Sequence, residues 1–163
     1  MTSEPTIRPS ARVLLFDDHD RILLVRRADD GKWGLVAGWV DPNESPAETV
    51  VRELAEEALL TADHWQVLID LYTSPGFSGE AIRVFLARGL RETGRPDGFV
   101  VEAEEIHMTV SRVPLDQAVR RALGGDITNA AAVAGILAAD AARSAGWRGL
   151  RSPDAPWAGQ PRR

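Results

Sequence analysis

GWVDPNESPAETVVRELAEEAL, residues 38–59, decides how the rest of the chain is read. Ser45 can cap a helix, Pro46 suits the first helical position where no amide donor is needed, and Glu48 completes a capping box three residues past the cap. Ala47, Val50, Leu54 and Ala58 recur at helical spacing and give an apolar stripe to bury against a sheet. Residues three and four apart share a helix face, so Glu53, Glu56 and Glu57 become neighbours along the margin of that stripe. Crowded carboxylates repel one another and add nothing to a helix. They make chemical sense around a hard divalent cation such as Mg²⁺ or Mn²⁺, which takes oxygen ligands and screens the repulsion.

Upstream of this stretch, Arg12 to Phe16 and Arg21 to Arg26 are rich in Val, Ile and Leu and are separated by Asp17-Asp18-His19-Asp20, which predicts a β-hairpin with a polar turn and a solvated His19. Trp33 to Val40 reads as a further strand that delivers the chain to the acidic loop carrying Glu44. Downstream, Trp65 to Tyr72 and Ala81 to Ala87 read as strands on either side of the turn-forming loop 73–80, TSPGFSGE. Gly89 to Glu105 is polar and ends in an acidic run, and Met108 to Val113 is a strand with His107 beside it as a surface or packing residue. Pro114 starts a helix that Gly124-Gly125 ends, and Thr128 can cap a last, Ala-rich helix. Residues 1–10 are expected to be loose, 11–143 to form one domain, and 144–163 to be a tail without its own core. Trp147 and Trp157 would dock that tail onto the body or onto a second subunit.

A chain of 163 residues can bury one real core. Its net charge of −5 argues against nonspecific binding of nucleic acid through a basic surface. With no cysteine there is neither a disulfide nor a thiolate metal site, and nothing points to export. The N-terminus lacks the layout of a signal peptide, and the longest uncharged apolar run, Ala130 to Ala139, is too short to span a bilayer. A cytoplasmic location is the default expectation.

Gly38, Glu44, Arg52, Glu53, Leu54, Glu56, Glu57 and Leu59 resemble the Nudix box: Gly, five residues, Glu, seven residues, then Arg-Glu-aliphatic-any-Glu-Glu-any-Gly-aliphatic. Ala58 is read in the place of the second Gly, so the turn after Leu59 is expected to be displaced or the helix longer. The resemblance implies an α/β Nudix fold, a mixed sheet sandwiched between helices. It also implies hydrolysis of a diphosphate aided by Mg²⁺ or Mn²⁺. Glu53 and Glu57 would be the main metal ligands, Glu56 an auxiliary one and the Ala37 carbonyl a further one. Arg52 would bridge box carboxylates, and Glu104 or Glu105 would accept the proton of the attacking water.

SPGFSGE, residues 74–80, looks like the signature of ADP-ribose pyrophosphatases within that family, in which a Pro at this distance from the box marks substrate choice. The likeness extends through WQVLID, AIRVFLARGLRETGRP and GDITNAAAVAG, and it implies Ser74, Pro75, Gly76, Phe77, Glu80 and Arg83 as substrate-binding residues and AMP and ribose 5-phosphate as products. The front half, RVLLFDDHDRILLVRRADDGKWGLVAGWVDPNES, is similar to general small Nudix hydrolases, whose substrates include oxidised nucleoside triphosphates. A third reading is a non-catalytic sensor of ADP-ribose-like ligands, against which stand the intact acidic residues and the lack of a helix-turn-helix. Family membership also implies a homodimer, although the chain is read as starting past the swapping N-terminal β-domain of the larger enzymes.

Overall fold

The computed structural model describes residues 7–74, 76–94 and 109–157. Along the chain come β1 (Arg8–Leu15), β2 (Arg21–Arg26), β3 (Trp33–Gly34), β4 (Val36–Trp39), α1 (Pro46–Ala58), β5 (Leu60–Tyr72), β6 (Glu80–Glu92), β7 (Thr109–Pro114), α2 (Leu115–Leu123) and α3 (Ala130–Ser144). Four strands form one sheet in the order β4-β1-β6-β5, and three form a second in the order β3-β2-β7. β1 runs parallel to β6 and antiparallel to β4, so the larger sheet is mixed, as expected for α/β.

Alternation along β1 splits the core in two. Val13 and Leu15 point with Val36 and Phe85 to the face covered by Val50 and Leu54 of α1. Leu14 points with Val84 and Leu86 to the other face, where Ile22, Leu24, Val113 and Ile136 bring in the second sheet and α3. Both faces of β1 are therefore packed, which suits a central strand whose residues are mostly apolar. Its first residues are also structured: Ser10 is fully buried, so the ordered domain begins at Arg8 rather than after residue 10.

The hairpin expected from β1 and β2 is replaced by a sharp turn between two sheets. The Asp17 carboxylate accepts from the amides of His19 and Arg21, at 2.9 and 3.0 Å, and a single bridge joins Phe16 to Ile22. Beyond that bridge the strands part because both edges of β1 are taken by β4 and β6, and both edges of β2 by β3 and β7. His19 lies exposed in the turn, as expected.

The helix α1 forms as its sequence predicts. Ser45 accepts from the Glu48 amide at 3.2 Å, and the Glu48 carboxylate accepts from the Ser45 amide at 2.7 Å. The exit differs from expectation. The helix ends on time at Ala58, and Leu59 takes the left-handed conformation, φ 54, with its N–H donating to the Leu54 carbonyl. Counted from Arg52, the second Gly of the box falls on Leu59 and not on Ala58, which is where the backbone needs a positive φ. At α3 the cap is Asn129, which accepts from the Ala132 amide at 3.0 Å, rather than Thr128.

The tail folds back on the body. Arg151 pairs with Val67 on the open edge of β5, and Trp157, 8% exposed, packs over the Arg83 guanidinium. Trp147 meets Phe16 edge to face.

Candidate active site

Arg52 organises the acidic end of α1. Its Nε and one terminal nitrogen donate to the two oxygens of Glu44, at 3.0 and 3.2 Å, a bidentate grip across the loop that precedes the helix. The other terminal nitrogen lies 2.9 Å from Glu53 and 3.2 Å from Glu56. Glu44 is fixed from its far side by the fully buried Thr49, whose hydroxyl donates at 2.7 Å. The bonds from Arg52 hold the Glu44 carboxyl below the usual range against the opposing effect of burial. Arg52 thus bridges box carboxylates as expected, and Glu44 is the post to which it is tied.

Glu53 is held in the opposite sense. Its side chain is tucked against β4 directly over Gly38, and burial pushes its carboxyl above the usual value, with Arg52 opposing and Glu56 adding to the rise. A partly desolvated carboxylate in that state favours a cation. The donors that the sequence nominates, Glu53, Glu56, Glu57 and the Ala37 carbonyl next to Gly38, are all hard oxygens, a chemistry that suits Mg²⁺ or Mn²⁺ rather than a softer ion. Among the described residues no three acidic or histidine side chains are close enough to cage an ion without help. The residues fit the cation chemically, with Arg52 holding Glu53 and Glu56 together.

The loop after β5 closes on itself. The Ser74 carbonyl accepts from the amides of Phe77 and Ser78, at 2.9 and 2.8 Å, which leaves Ser74 and Gly76 at the surface and Phe77 94% exposed. Glu80 turns inward, where it accepts from Ser10 at 3.1 Å and stands 3.6 Å from Arg12. Pro75, Glu104 and Glu105 lie outside the described residues.

Arg83, expected among the substrate contacts, has its donors engaged elsewhere. Only 2% exposed, it donates to both oxygens of Asp70, at 2.8 and 3.0 Å, and to the carbonyls of Ala155 and Pro156. Its neighbours on β6 alternate between the two cores, and its turn falls on the face where the tail is anchored. Conversely, sequence reasoning passed over Arg12 and Ser10. A charged residue inside the apolar run ARVLLF was the available signal. Arg8, stacked 4.6 Å over the half-exposed Trp39 ring at the same end of the sheet, was likewise not singled out.

Residues 6–133 match the NUDIX domain. The chain is 44% identical over 154 residues to an ADP-ribose pyrophosphatase of Mycobacterium tuberculosis (strain ATCC 25618 / H37Rv), covering 91% of this chain and 72% of that one. It is 40% identical over 70 residues to a putative 8-oxo-dGTP diphosphatase of Bacillus subtilis (strain 168), covering 43% of this chain and 46% of the other. A crystal structure of an ADP compounds hydrolase superposes with a TM-score of 0.71 at 25% identity, over 88% of this chain and 77% of its own. The chain belongs to the Nudix family and is a Nudix hydrolase.

Proposed function

We propose that this protein hydrolyses the diphosphate of ADP-ribose, or of a closely related nucleoside diphosphate sugar, to AMP and ribose 5-phosphate. The observation that carries the reading is the Arg52 bridge: one guanidinium holds Glu44, Glu53 and Glu56, with Glu53 lying over Gly38, an arrangement that suits a reaction at that spot. The relative matched over most of its length supports the substrate, since the resemblance in 74–80 and the likeness to an ADP-ribose pyrophosphatase agree.

Cleavage adds water to a phosphorus atom and breaks its bond to the bridging oxygen, which leaves with the electron pair. Mg²⁺ or Mn²⁺, held by Glu53, Glu57, Glu56 and the Ala37 carbonyl, would neutralise phosphate oxygens and acidify a water. Arg52 keeps Glu53 and Glu56 from drifting apart, and Glu44 with Thr49 keeps Arg52 from following the substrate. Glu104 or Glu105 is the proposed acceptor of the water's proton. Around the loop, Ser74, Pro75, Gly76, Phe77 and Glu80 are the proposed substrate contacts.

The test is a hydrolysis panel of ADP-ribose, ADP-glucose, NADH and 8-oxo-dGTP, run with Mg²⁺ and with Mn²⁺. ADP-ribose should have the highest kcat/KM, with AMP released. Equal or better turnover of the triphosphate would overturn the substrate, and binding of ADP-ribose without AMP release would favour a sensor. A cytoplasmic homodimer is part of the same proposal, and sedimentation of the purified protein checks the dimer. No described helix is long and apolar enough to cross a membrane.

A further inference from the structure

We propose that Arg12 is a substrate contact whose guanidinium donates to a non-bridging oxygen of the bound diphosphate. This inference rests on the diphosphatase reading above. Arg12 sits on β1 directly across from Ala37 of β4, so it stands between the loop that carries Glu80 and the acidic end of α1. Its strand neighbours Ala11, Val13, Leu14 and Leu15 are fully buried, and its own side chain keeps 20% of its exposure.

An ion taken this far out of water normally has partners of good geometry. Arg12 has poor ones. Among the described residues it makes one hydrogen bond, a long 3.3 Å to the carbonyl of its neighbour Ala11, and its 3.6 Å approach to Glu80 is beyond ordinary hydrogen-bond reach. Glu80 is bonded to Ser10 instead. Burial pushes the Arg12 guanidinium down; Glu80, Glu57 and Glu53 pull it back up, and Arg27 opposes them, so its charge is felt at both the loop and the helix. Two other arginines nearby are fully engaged: Arg52 holds three carboxylates and Arg83 holds Asp70 and the tail. A planar fork of five donors, held in place and loosely paired, matches the oxygens of a diphosphate lying between loop and helix.

The test compares wild type with Arg12→Met in ADP-ribose hydrolysis, in calorimetric binding of ADP-ribose in EDTA, and in thermal melting. A charge-assisted contact of this kind should be visible as a roughly ten- to hundredfold rise in KM. A matching loss of metal-free affinity is expected, with a smaller change in kcat and a melting point near that of wild type. If KM and metal-free affinity stay within about twofold, Arg12 only balances the carboxylates and the inference fails. Should Arg12→Met not fold, Arg12→Gln carries the same readings. A wild-type protein that does not turn over ADP-ribose defeats the substrate assignment instead, and Arg12 is then judged on the diphosphate that the wild type does cleave.

Discussion

Gly38 and Glu53 compete for the same space: a Cβ at position 38 would lie 2.6 Å from the Glu53 Cγ and closer still to its carboxylate. The first glycine of the box is therefore a requirement of the acidic helix, whose side chain lies flat on the strand. Gly38→Ala forces Glu53 outward. Overpacking of this kind should cost about 1–3 kcal/mol of stability, and displacement of a carboxylate proposed to hold the metal should lower kcat on the order of 10²-fold. Calorimetry and steady-state kinetics on the one variant measure both, and a fully active Gly38→Ala protein would mean that Glu53 works from another position.

Arg52 makes contacts that a lysine cannot copy. A single ammonium can reach one oxygen of Glu44, whereas the guanidinium grips both and still spans Glu53 and Glu56. Arg52→Lys keeps the charge and loses the geometry. We expect kcat to fall on the order of 10²-fold with little change in KM, because the residue positions carboxylates and is not placed to touch substrate. A loss of less than about threefold would show that charge alone suffices.

Much of α1 was legible because the signals are local. The capping box, the Val50–Leu54 stripe and the pairing of Arg52 with Glu56 are all set within one helix. What escaped reading depends on residues brought together from far along the chain. Ser10 meets Glu80 across 70 residues of sequence, and Arg83 meets the Ala155 carbonyl across 72, so neither the early start of β1 nor the partners of Arg83 have a sequence-local signature. The broken hairpin has the same origin, since the claim of β6 on β1 is not visible from the turn at Asp17–Asp20. The Leu59 turn, by contrast, was within reach: the spacing of the box alone places a glycine there.

That turn gives a paired test. Leu59 holds φ 54, a conformation that costs a residue with a Cβ about 1 kcal/mol or more, while Ala58 is still helical. Ala58→Gly should destabilise the helix end by up to about 1 kcal/mol. Leu59→Gly removes a much larger side chain, yet the relief of the backbone should offset most of that loss. Thermal melting should therefore rank Ala58→Gly at or below Leu59→Gly, with activity nearly unchanged in both. The reverse ranking by several degrees would mean that the Leu59 side chain, not its backbone, holds the turn.

Asp70 couples the tail to the pH of the solution. Burial raises its carboxyl, but hydrogen bonds from Arg83 and Arg151 outweigh that and hold it below the usual value. A carboxyl lowered in the folded state stabilises it at pH values above the ordinary aspartate value of about 4, and this contribution is lost as pH falls through the lower, folded value. The tail should therefore remain docked from neutral pH down to about 4 and detach only below that. Asp70→Asn should release it at neutral pH and cost roughly 3 kcal/mol, because the Arg83 guanidinium stays buried with its carboxylate partner gone. Trp157 reports the event, since its ring stacks on that guanidinium: the fluorescence difference between the parent protein and its Trp157→Phe variant should shift to the red in acid, and already at pH 7 when Asn replaces Asp70. An acid-induced shift that begins well above pH 5 in the parent would place the controlling carboxyl elsewhere, since a group with a lowered value cannot titrate there.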